Sequence, residues 1–120
     1  YRFTLNSYSW EIPEGGGPLG VDPLESAKRE LLEETGLVAK DWWEIMRLHT
    51  SNSVTDEYAI VFLARNLEQR TAMPEETEQL VVKRVAFEEA WLMANTGLIT
   101  DAISVAAIQK VKWMIDGGKL

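Results

Sequence analysis

The chain has 120 residues, 46% of them hydrophobic, which is the scale of one globular domain. Its formal net charge of −7 argues against a nucleic-acid surface, because such surfaces displace counterions with clustered Lys and Arg. No cysteine is present, so a disulfide framework and a thiolate metal site are excluded, and no apolar run has the length of a membrane-spanning helix. With no signal-peptide pattern either, a cytoplasmic protein without nucleic-acid or membrane partners is expected.

Residues 1–5 mix aromatic and β-branched side chains and predict the end of a strand, with Asn6-Ser7 as turn material. Residues 10–13 (WEIP) predict a short extended piece, since the residue before a proline avoids the helical region. A glycine-rich turn follows, whose backbone permits close approach of a ligand. Asp22 then suits an N-cap and Pro23 the first helical position, and Glu25 completes a capping-box pattern. The predicted helix runs through Ala27, Leu31 and Leu32 to Gly36, which is placed to stop it. Glu30, Glu33 and Glu34 share one face of this helix. Like charges at such spacings cost about 0.2–0.5 kcal/mol per pair, so the crowding calls for compensation. A divalent cation such as Mg²⁺ supplies it, because hard metals take carboxylate oxygens and phosphates together. The alternative is an amphipathic helix with a solvated acidic face.

Residues 15–37 resemble the signature of the Nudix hydrolase family, G-x5-E-x7-R-E-U-x-E-E-x-G-U with U aliphatic. Gly15 matches the first glycine, and residues 29–37 (RELLEETGL) match the second half throughout. One position departs, where Val21 stands in place of the first glutamate. The resemblance implies an α/β Nudix-type α/β/α sandwich with a mixed sheet between helices. It implies Mg²⁺, with Mn²⁺ as an alternative, held by Glu30, Glu33, Glu34 and the Gly15 carbonyl, with Glu33 also in the catalytic set. Arg29 would orient Glu33 or the loop through a charge-assisted bond. The first glutamate of the family is peripheral to the metals, so Val21 bears on rate more than on reaction type.

Within the family, residues 11–16 (EIPEGG) resemble the approach to this loop in ADP-sugar pyrophosphatases, where the glutamate lies near substrate; that role falls on Glu11. Tyr1-Arg2 resembles a tyrosine-arginine pair that follows a first strand and hairpin in those enzymes, with Arg2 as a substrate contact. The implied organisation is a single Nudix domain over residues 1–120 whose first strands are missing.

Farther along, residues 42–49 and 58–64 predict two strands, the second more buried. The polar connection between them matches a loop of ADP-ribose pyrophosphatases that ends in an acidic residue, here Glu57, a substrate or metal neighbour. Ser51 and Ser53 are present there without the family's proline and glycine. His49, the single histidine, reads as structural. Residues 66–78 form a polar loop containing Pro74, followed by a predicted strand over 79–87. Residues 76–90 are similar to the E-x-E-x3-V-x2-V-x2-E-E-A region of ADP-ribose pyrophosphatases, which makes Glu76 the general base and Glu78 an extra metal ligand. A solvated acidic loop is the competing reading. A short helix over 87–95 stopped by Gly97, and a longer one over 100–115, complete the chain. Ile103, Ala107, Val111 and Met114 line one face of the latter, and Trp91, Met93 and Trp113 are expected in the core.

The resemblance thus implies Mg²⁺-dependent hydrolysis of ADP-ribose or another ADP-sugar to AMP and a sugar phosphate, by a homodimer. Two other readings stay open. One is a Nudix hydrolase of another nucleotide sugar, a dinucleoside polyphosphate or an oxidised nucleoside triphosphate. The other is a non-catalytic nucleotide-binding regulator.

Overall fold

A computed structural model describes residues 9–16, 20–53, 58–70 and 81–120. The elements in order are α1 (Pro23–Thr35), β1 (Leu37–His49), β2 (Tyr58–Gln69), α2 (Phe87–Asn95) and α3 (Ala102–Asp116). These residues form two compact units, one built on α1 and the base of the β1–β2 hairpin, the other on α2, α3 and the hairpin tip. The strand expected over residues 1–5 lies outside the described residues.

Helix α1 has the predicted bounds because its stop and start signals are local. Asp22 Oδ1 accepts from the Leu24 amide at 3.1 Å, with Pro23 at the first helical position. Glu25 does not close the reciprocal half of the capping box; its carboxylate lies 3.5 Å from Lys28 Nζ. At the other end Gly36 adopts φ 75°, and its N–H returns to Leu32 O at 2.9 Å. The left-handed turn swings the chain directly into β1. The final carbonyls of α1 are then met from β2, with Gln69 Nε2 donating to Thr35 O at 3.2 Å and the Arg70 amide to Gly36 O. These bonds satisfy acceptors that a helix end leaves open. Gly36→Ala is therefore expected to lower stability by about 1–2 kcal/mol, because a Cβ is disfavoured at positive φ. A urea titration of the two proteins reads this as a lower midpoint at unchanged slope.

Strands β1 and β2 pair antiparallel as one two-stranded sheet among the described residues. At the base, Asn66 Nδ2 donates to Asp41 Oδ2, and Asn66 takes φ 60°, a region that asparagine tolerates. Trp42 packs edge-on to Phe62, ring centroids 6.4 Å apart, beside the buried Val61. At the tip, His49 stacks obliquely on Tyr58 at 4.9 Å, which suits the structural role expected of it. Both strands are longer than the sequence pattern marks, since polar Asp41 and Asn66 meet each other across the pair.

The strand expected over 79–87 is corrected for its described part. Residues 81–86 are irregular and Phe87 already begins α2. Val81 and Val82 are exposed, so the apolar spacing there does not report a buried sheet face.

Helix α2 packs on α3 through a closed hydrogen-bond ring. The Trp91 indole donates to Gln109 Oε1 (3.1 Å), Gln109 Nε2 to Asn95 Oδ1 (3.0 Å), and Asn95 Nδ2 to the Trp91 carbonyl (2.8 Å). Gly97, at φ 86°, follows α2 as expected. Helix α3 starts at Ala102 and buries Ser104, Ala107 and Ile108, a face turned from the predicted one of Ile103, Ala107, Val111 and Met114. Trp113 is corrected too. It is 61% exposed, and the Lys110 ammonium lies 4.9 Å from its ring centroid. A cation over the ring accounts for a large aromatic in solvent.

Candidate active site

Helix α1 presents Glu30, Glu33 and Glu34 within two turns, all partly buried. The Glu30 side chain is 22% exposed, against 39% for Glu33. Its carboxylate lies against the glycine loop. A Cβ placed on Gly15 would fall 2.8 Å from Glu30 Oε2 and closer still to the carbons behind it. Gly15 is thus required by space, because any side chain there would push the carboxylate away. The Gly15 backbone and the Glu30 carboxylate are held side by side, as a hard cation's oxygen ligands need to be.

Arg29 spans two of these carboxylates. Its Nη2 lies 3.6 Å from Glu30 Oε1 and its Nε 3.8 Å from Glu33 Oε1. The guanidinium is half exposed, so each pair contributes about 0–1 kcal/mol, and its effect on the site is one of orientation and charge. Val21, at the place of the family's first glutamate, is 44% exposed beside the N-cap and brings no carboxylate to the loop.

Glu11 sits on the extended piece before Pro13, half buried. Its carboxylate approaches that of Asp101, the N-cap of α3, with ligand oxygens within 4.8 Å. The next amide, Ile12 N–H, donates to Ser104 Oγ at 3.0 Å. Asp101 ahead of an apolar helix is an N-cap signal in the sequence, whereas no local pattern there marks Ser104. Of the remaining sequence-predicted positions, Arg2, Glu57, Glu76 and Glu78 lie outside the described residues.

Residues 2–105 match the NUDIX domain family, and the chain belongs to that family. It is 37% identical to the ADP-ribose pyrophosphatase of Bacillus subtilis (strain 168) over 112 residues, 91% of this chain and 60% of that protein. Against the ADP-ribose pyrophosphatase of Mycobacterium tuberculosis (strain ATCC 25618 / H37Rv) it is 31% identical over 120 residues, 98% of this chain and 58% of that protein. The chain therefore spans about three fifths of the length of these relatives. A solved structure of an ADP compounds hydrolase matches with TM-score 0.86 at 24% identity, covering 100% of this chain and 65% of the other. The two share a fold, so the α/β Nudix fold expected from the sequence is the fold of this chain.

Proposed function

We propose that the chain hydrolyses the pyrophosphate bond of ADP-ribose, releasing AMP and a sugar phosphate, as a single Nudix domain acting within a homodimer. The observation that carries this reading is α1, with the three later glutamates of the family pattern, Glu30, Glu33 and Glu34, present and Gly15 seated against Glu30. Likeness to two ADP-ribose pyrophosphatases supports the choice of substrate. No described helix is long and apolar enough to cross a membrane.

The donor set fits a divalent cation. Glu30, Glu33 and Glu34 would hold Mg²⁺, with Mn²⁺ the alternative, together with the Gly15 carbonyl and Glu78. When bound, the ion neutralises phosphate charge and acidifies a coordinated water. Glu76 takes the proton of the attacking water, help typically worth ~10²–10⁴-fold. The water oxygen bonds to phosphorus, the P–O anhydride bond breaks, and its electron pair leaves on the departing phosphate. Arg29 keeps Glu33 turned toward the loop, while Glu11, Glu57 and Arg2 contact the nucleotide sugar.

Product analysis with Mg²⁺ checks this on ADP-ribose, ADP-glucose, other nucleotide sugars, dinucleoside polyphosphates and nucleoside triphosphates. AMP from ADP-ribose is the expected product. Turnover of another compound alone would overturn the substrate. Binding without turnover of any of them would favour a regulator, the reading to which the exposed Val21 lends weight.

A further inference from the structure

Ser104 is fully buried, at 0% exposure, in a helix whose other buried positions are apolar. Its hydroxyl has two partners. It donates to Asp101 Oδ2 at 2.7 Å and accepts from the Ile12 amide at 3.0 Å. Asp101 Oδ2 also accepts from the Ser104 amide at 3.0 Å, the ordinary bond of an N-cap. The hydroxyl is therefore not needed to cap α3, which leaves its bond to Ile12 to be explained.

That bond joins residues 92 apart in sequence. It fixes the backbone of the residue after Glu11, in an extended piece with no strand partner among the described residues. The bond also sets where the Glu11 side chain leaves the backbone, with its carboxylate oxygen within 4.8 Å of that of Asp101.

We propose that Ser104 is a positioning residue, whose hydroxyl pins Ile12 so that the Glu11 carboxylate is held in place for substrate. This rests on the reading of Glu11 as a substrate contact. Ser104 touches no substrate and acts through Glu11. Because it sets ground-state placement of a binding group, its loss raises KM and leaves kcat nearly unchanged.

The test compares Ser104→Ala, Glu11→Gln and the double variant, with Mg²⁺ and ADP-ribose. Ser104→Ala is expected to raise KM about tenfold with kcat within twofold, and the double variant to match Glu11→Gln alone. Additive effects, or a fall in kcat at unchanged KM, would overturn the proposal while leaving Glu11 a substrate contact. An unchanged KM in Glu11→Gln would overturn the reading of Glu11 and the proposal with it. Should Ser104→Ala not fold, Ser104→Cys, of similar volume and with only a weak acceptor, must show the same split between KM and kcat.

Discussion

Glu34→Gln is expected to lower kcat for ADP-ribose by about 10²–10³-fold, the scale of losing one preorganised charge-stabilising group. The amide keeps the size and helix propensity of the side chain but removes its charge. The fold should be kept, because Gln has the size of Glu and is about as good a helix former. Added Mg²⁺ should then raise the thermal midpoint of the native chain more than that of the variant, because a ligand that binds only the folded state stabilises it in proportion to affinity. Kinetics at saturating Mg²⁺, with melts in EDTA and in Mg²⁺, check all three statements. Full activity in the variant would place the metal elsewhere, and a lower melt in EDTA would make lost activity a folding effect.

Gly15→Ala should also separate chemistry from stability. The new methyl meets the Glu30 side chain, which is flexible at that end and can turn aside. The fold therefore survives, with a change within about 1 kcal/mol. The carboxylate does not keep its place, and a displacement near 1 Å in a catalytic site can cost ~10²-fold. Gly16→Ala is the control, because a Cβ there meets nothing within 4 Å. Equal activity in the two variants would show that the packing of Gly15 on Glu30 has no part in turnover.

What could be read from the residues divides by range. Helix α1 was legible from end to end, since Asp22, Pro23 and Gly36 act on their own neighbours. So was the resemblance, which rests on fixed spacing along one helix and its loop. The strand ends were not, because Asp41 and Asn66 look like strand breakers until they are seen to bond across the pair. Val81 and Val82 carried apolar spacing without burial, and Trp113 an aromatic ring with a lysine over it. The link from Ile12 to Ser104 crosses most of the chain, and no local pattern announces it. For Arg2, Glu57, Glu76 and Glu78 the roles remain those implied by resemblance.

The ring joining Trp91, Gln109 and Asn95 has a direction. The Trp91 indole gives a hydrogen to Gln109, Gln109 to Asn95, and Asn95 to the main-chain carbonyl of Trp91, so the circuit closes only if both amides face one way round. Turning over either Gln109 or Asn95 would set donor against donor on one side and acceptor against acceptor on the other. The two amides are thus locked by each other as much as by packing, and the ring has a single sense of rotation. Energetically the three residues form one element: the first substitution opens the circuit, and the second finds less left to break.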